Sequence, residues 1–169
     1  MSEHRKPWLL IDIDGVLNPD WSNSQAKSRG VRVWHATSGG SRFRMLLNPE
    51  HGKWLLAMTD VFRLAWCTTW QHEANGAIRQ RLGLPELPVV EFDFASEDGP
   101  TKVPGIARFV GDAPFCWLDD DLYPIDHQLL ADIPSPHKVI EVPPWTGLGA
   151  DHLEQARRWA VEVASGGVA

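Results

Sequence analysis

The stretch Leu9-Leu10-Ile11-Asp12-Ile13-Asp14-Gly15-Val16-Leu17-Asn18 decides the fold. A short apolar run closed by glycine reads as a buried parallel strand, because helices cover both faces of such a strand. Side chains alternate along a strand, so Asp12 and Asp14 share one side where the chain leaves the sheet. Ligands of open α/β sheets bind at that carboxyl edge. Two carboxylates so close repel and shift each other's pKa, which asks for a cation or a chemical division of labour. An Asx turn closing the strand is the plain alternative.

Outward from this stretch, apolar runs alternate with helical patterns, the signature of βαβ units and an α/β fold with a mainly parallel sheet. Strands are expected at Trp8–Ile13, Phe62–Cys67, Pro88–Phe92, Phe115–Leu118 and Lys138–Val142. Asn48-Pro49-Glu50 offers an N-cap, a proline at the first position and an acid in the first turn, so a helix is expected from there to about Met58. Further helices are expected from Gln71 to Arg81, after Thr101, and from Ala150 to Ala164, with Ser165-Gly166-Gly167 as a frayed tail. At 169 residues the chain matches one domain, 1–169.

The net charge of −6 gives the whole molecule no basic footprint for nucleic acid, although it leaves room for a local one. No apolar run is long enough to span a membrane, and the expected location is the cytoplasm. Cys67 and Cys116 sit in apolar runs and read as reduced core residues rather than nucleophiles.

Candidate chemistry gathers at three strand ends. After the second strand, Thr68 and Thr69 precede a helix, where a hydroxyl and helix-entry amides make a phosphate site; a plain N-cap is the alternative. After the fourth, Asp119-Asp120-Asp121 offers hard oxygen ligands that suit Mg²⁺ beside Asp12, unless it is a solvated acidic turn. Lys102, at the start of a helix, is a point charge for a phosphate or for the Asp12 carboxylate.

Asp12-Ile13-Asp14-Gly15-Val16-Leu17, then Thr68, Lys102 and Asp119-Asp120, resembles in order the four motifs of the haloacid dehalogenase (HAD) superfamily. More narrowly, Trp66-Cys67-Thr68-Thr69-Trp70-Gln71-His72-Glu73-Ala74-Asn75, Leu82-Gly83-Leu84-Pro85, Trp117-Leu118-Asp119-Asp120-Asp121-Leu122 and Gly147-Leu148-Gly149-Ala150-Asp151-His152-Leu153 resemble the HAD domains of Swiss Army Knife RNA-repair proteins. The resemblance implies a Rossmann-like sheet and a phosphohydrolase. Asp12 is then the nucleophile that forms an aspartyl-phosphate and Asp14 the general acid and base. It also implies that Thr68 binds the phosphoryl group and Lys102 balances its charge. Mg²⁺ is then held by Asp12, the Asp14 carbonyl and Asp119 or Asp120. Thr69 remains an alternative to Thr68, and the ligand within Asp119 to Asp121 is open by one residue.

HAD proteins commonly insert a cap between the first two motifs, here expected over 19–48. From Trp21 to Pro49 there are five basic residues, Lys27, Arg29, Arg32, Arg42 and Arg44, and no acid, so with a total of −6 the remainder carries −11. Val31–Ala36 and Arg42–Leu47 read as strands around Ser38-Gly39-Gly40-Ser41. With Gly39-Gly40 as a two-residue turn, Trp34, Ala36, Phe43 and Met45 share one face, and His35, Thr37, Arg42 and Arg44 the other. Arg42 and Arg44 are the expected contacts for a second phosphate or a nucleic-acid backbone, against the plain reading of a solvated hairpin.

Of the nine tryptophans, Trp8, Trp54, Trp66, Trp117 and Trp159 fall in core runs, and Trp21, Trp34, Trp70 and Trp145 in loops or the insert, where base stacking is an option. His72 and His127 flank the site without metal spacing. The combined expectation is a Mg²⁺-dependent phosphatase acting on nucleotides or nucleic-acid ends, with RNA-repair proteins as partners and no membrane. A small-metabolite phosphatase and a catalytically idle binding module are the alternatives.

Overall fold

Leu9, Leu10 and Ile11 are fully buried, because their strand has a neighbour on each side and helices over both faces. The computed structural model describes residues 6–93 and 101–166; Gly167 of the expected tail lies outside them. In chain order the elements are β1 (Trp8–Ile11), α1 (Asn23–Ser28), β2 (Trp34–Ser38), β3 (Ser41–Met45), α2 (Pro49–Ala57), β4 (Arg63–Trp66), α3 (Ala77–Leu82), α4 (Val103–Val110), β5 (Phe115–Asp119), α5 (Pro124–Ala131), β6 (His137–Glu141) and α6 (Ala150–Ala164). The main sheet has the order β4-β1-β5-β6, every neighbouring pair parallel. This is the Rossmann-like α/β sheet expected.

Strand alternation sends the core to both faces. Leu9, Ile11 and Ile13 pack with Leu55 of α2 and with Leu153 and Trp159 of α6. Leu10, Ala65 and Trp117 pack with Val103, Ile106 and Val110 of α4 and Leu130 of α5. Register then fixes the site: Ile11 pairs with Trp66 on one side and Leu118 on the other. The Asp12 amide donates to the Leu118 carbonyl (3.1 Å), and the Cys67 amide to the Ile11 carbonyl (2.9 Å). The ends of β1, β4 and β5 therefore finish at one level. Among the described residues no helix is long and apolar enough to cross a membrane.

β2 and β3 form their own two-stranded sheet joined by Gly39-Gly40, both at positive φ (54° and 78°), the backbone a tight two-residue hairpin turn demands. Trp34 pairs with Met45 and Ala36 with Phe43, so the apolar face is the one expected, although β2 begins at Trp34 rather than Val31.

Two expectations need correction. Pro88–Phe92 is no strand: one parallel bridge joins Val89 to Trp66, and proline, lacking an N–H, gives little to extend it. The helix expected from Gln71 to Arg81 is broken into a 3₁₀ turn, Gln71–Asn75, and α3, with Gly76 between them. Asn75 explains the break. Its side chain accepts from Trp66 Nε1 (3.1 Å) and from the Leu87 amide (3.0 Å) and donates to the Leu87 carbonyl (2.7 Å). The chain turns aside to make this clamp.

Asn75→Ala should lower the unfolding free energy by about 1–3 kcal/mol for each buried group left without a partner. Chemical denaturation measures this, and an unchanged midpoint would mean that the clamp does not hold the 71–87 segment.

Candidate active site

The shared level of the strand ends brings residues from three parts of the chain together. Lys102, at the N-terminus of α4, donates from Nζ to Asp12 Oδ2 and to Asp119 Oδ2, each at 2.6 Å. All three side chains are largely buried. Asp12 Oδ1 accepts from the Ile13 amide (2.6 Å), and Asp119 Oδ1 from the Asp121 amide (3.2 Å). One carboxylate oxygen from each of Asp12, Asp119 and Asp120 lies within 4.8 Å of the others. Asp120 approaches so closely that a Cβ on Gly15 would sit 2.0 Å from its carboxyl carbon, and Gly15 has φ +74°. Glycine is needed there twice over.

The cleft above these residues holds about 280 Å³ and is lined also by Asp14, Thr69, Phe92, Trp117 and Tyr123. Among its described lining residues Lys102 is the one cation. Burial, and then the Asp12 charge, pushes Asp119 up to about 7 and Asp120 up to about 6 despite the ammonium. Burial works against the Lys102 charge, but Asp12 and Asp119 outweigh it and hold the lysine above its ordinary range. Like charges about 4 Å apart repel by about 4 kcal/mol at an effective dielectric of about 20. Three carboxylates against one ammonium thus leave an excess of negative charge in a half-enclosed cleft, and this donor set fits a hard divalent cation.

Asp14 stands apart from that trio. Its Oδ1 accepts from Asn18 Nδ2 and its Oδ2 from Trp70 Nε1, each at 2.8 Å. Trp70 is buried and carries the Phe43 ring edge-on at 5.2 Å, which ties the hairpin to this carboxylate. Asp121 accepts from the Tyr123 hydroxyl (2.8 Å), which leaves Asp119 and Asp120 as the acids facing Asp12.

The structure places Thr68 differently from the expectation. Thr68 is fully buried, with Oγ1 accepting from the Trp70 amide (3.4 Å), while Thr69 lines the cleft. Gln71 follows at φ +48°, so the turn that exposes Thr69 is a tight one. Arg42 and Arg44 do not line the cleft either. Arg42 approaches His35 (3.3 Å), and Arg44 holds Asn23 Oδ1 (2.9 and 3.0 Å) and the Trp21 carbonyl (2.7 Å), pinning the insert to itself. His72 pairs with Glu91 on the surface (2.7 Å). Cys67 and Cys116 are buried free thiols, pushed up by burial, Cys116 to about 12.

Sequence reasoning missed Asp126. This buried carboxylate accepts from the Thr101 hydroxyl and from the Tyr123 amide (2.9 Å), so it fixes the residue just before Lys102. The signal was Pro124, a helix start directly after the acidic run.

A doubly wound α/β sheet with paired acids after its first strand, a lysine opening a helix and further acids after a neighbouring strand defines a HAD-type protein. The chain belongs to the family described as the HAD domain in Swiss Army Knife RNA repair proteins, which it matches over residues 8–153. A search of curated proteins finds no match to it.

Lys102→Met leaves the buried carboxylates without their partner, a change that costs about 3–5 kcal/mol in such settings. The cost should depend on pH. The folded pKa of Asp119, about 7, exceeds its unfolded value near 3.9, so the stability that this raised pKa contributes is full below about pH 4 and is lost as pH rises through 7, where the carboxyl ionises and comes to depend on the Lys102 charge. Urea titrations should show a larger loss at pH 8 than at pH 5; an equal loss at both would contradict this electrostatic account.

Proposed function

We propose that the chain is a Mg²⁺-dependent phosphohydrolase acting through an aspartyl-phosphate on Asp12, with nucleotides or nucleic-acid ends as substrates. The observation that carries this reading is the Asp12 carboxylate held 2.6 Å from Lys102 beside Asp119 and Asp120, with Asp14 two residues away. Membership in a family named for RNA repair supports the substrate class.

An Asp12 oxygen attacks phosphorus as the ester P–O bond breaks, and Asp14 gives its proton to the leaving oxygen. Water then attacks the acyl phosphate, Asp14 takes a proton from it, and inorganic phosphate leaves with Asp12 restored. Lys102 offsets the charge of Asp12 and the phosphoryl oxygens. Thr69, which lines the cleft, gives a hydrogen bond to the phosphoryl group in this reading, and Thr68 orders the turn beneath it. Asp12, Asp119 or Asp120, and the Asp14 carbonyl would hold Mg²⁺, which supplies charge neutralisation when bound. The two free buried thiols support a cytoplasmic setting, and the family's name supports RNA-repair proteins as partners.

A small-metabolite phosphatase is the second reading. It is favoured by one observation: Arg42 and Arg44 lie outside a cleft of only about 280 Å³. An idle binding module is disfavoured by the presence of both Asp12 and Asp14.

A panel of phosphate esters, including free nucleotides, sugar phosphates and 5′- and 3′-phosphorylated oligonucleotides, should show phosphate release that requires Mg²⁺ and stops with chelator. Asp12→Asn should abolish turnover in a folded protein. Asp14→Asn should lose about 10²- to 10⁴-fold, the usual share of general acid–base catalysis. No release from any ester with Mg²⁺ present would favour the binding module, and turnover confined to small esters would favour the metabolite phosphatase.

A further inference from the structure

We infer that Trp145, backed by Trp21 and Arg29, is a stacking ledge for a base of a single-stranded nucleic acid whose end enters the Asp12 cleft. Of the four tryptophans outside the expected core runs, two are otherwise engaged. Trp70 is buried against Asp14, and Trp34 packs on the core under the Arg81 guanidinium at 4.9 Å. Trp145 is 68 % exposed.

Its exposure is not that of a loose loop. The Thr146 and Gly147 amides both donate to the Pro143 carbonyl at 2.9 Å, closing a tight turn around Trp145. The turn is clamped to the segment after Asp14: the Leu148 amide donates to the Val16 carbonyl (2.8 Å), and the Asp20 amide to the Pro144 carbonyl (2.7 Å). A Cβ on Gly147, at φ +72°, would press on Pro19 at 3.0 Å and on the Val16 carbonyl at 3.1 Å. Trp21 Nε1 then donates to the Trp145 carbonyl (2.9 Å), and the Arg29 guanidinium lies 4.5 Å from the centre of the Trp21 ring. An exposed indole on a clamped turn offers a base a flat face, and the guanidinium over the neighbouring Trp21 ring offers a phosphate a charge.

The ledge stands at the proper edge of the sheet. β1 ends at Ile11, directly before Asp12, and β6 at Glu141, four residues before Trp145; in the parallel order β4-β1-β5-β6 these two strand ends are two strands apart. That is about 10 Å at the usual strand spacing. The insert beside it carries five basic residues and no acid between Trp21 and Pro49, a charge that complements a phosphodiester backbone rather than a neutral or basic partner. The proposal rests on the phosphohydrolase reading for what occupies the cleft, but not for the binding itself.

Fluorescence anisotropy with a labelled ten-nucleotide single-stranded RNA bearing a 5′-hydroxyl measures binding without turnover. Trp145→Ala should raise its Kd by about 5- to 150-fold, the range for loss of one stacked base, and Trp145→Phe should restore most of it. Arg29→Gln should lower the salt slope by about one. Strands made abasic at each position in turn identify the stacked base: one of them should bind wild type as weakly as the intact strand binds Trp145→Ala, and the variant should not distinguish the two. Unchanged affinity in a folded Trp145→Ala, or equal loss for all the abasic strands, would overturn the ledge. So would wild-type protein that binds no strand at low salt. Strand binding lost with Trp145 in a protein that releases no phosphate would retain the ledge and remove the phosphohydrolase.

Discussion

The Lys102 ammonium, shared at 2.6 Å between Asp12 and Asp119, is the contact on which the rest of the structure depends. It joins the end of β1 to the start of α4, 90 residues further along the chain, and to the end of β5, the element after α4. Burying charges costs several kcal/mol each, and an apolar trio of similar volume would often serve stability as well or better. Stability alone therefore does not account for these residues. Their arrangement leaves a surplus of negative charge facing an open cleft, which suits a site that takes up a cation and an anionic ester together.

Everything around this contact serves to place it. The fully buried β1 sets the level of Asp12 through its pairing with β4 and β5. Asp126, bonded to the Thr101 hydroxyl, sets where α4 begins and so where Lys102 stands. Gly15 lets Asp120 close over the turn that follows Asp14. Asp14 itself is held by Asn18 and Trp70, and Phe43 of the hairpin rests on Trp70. The insert thus meets the machinery through the Phe43 ring and through the Leu46 amide, which donates to Asn18 Oδ1 (2.7 Å), rather than through its guanidinium groups.

What was legible in the sequence follows from the range of the interactions. The buried strand and the Gly39-Gly40 turn are local signals, set by side-chain alternation and by glycine's access to positive φ, and they read correctly. The order of Asp12, Lys102 and Asp119 along the chain was informative through its resemblance to the HAD motifs. The clamp at Asn75 was not legible: it depends on Trp66 and Leu87, and only the folded chain shows that helix continuation loses to three hydrogen bonds. Arg44 was misplaced for a similar reason. Its position on the hairpin face was right, but Asn23, in a capped helix too short and polar to show periodicity, and the Trp21 carbonyl just before that helix take its guanidinium. Asp126 was hidden because a lone acid in a helix carries no pattern of its own.

The most direct test of the central claim is a crystal structure grown with Mg²⁺ and beryllofluoride, a mimic of a phosphoryl group on a carboxylate. The account predicts the beryllium bonded to an Asp12 oxygen, Lys102 in contact with its fluorines, and the ion between Asp12 and one or both of Asp119 and Asp120. An unmodified Asp12, or an ion seated away from these three carboxylates, would contradict it.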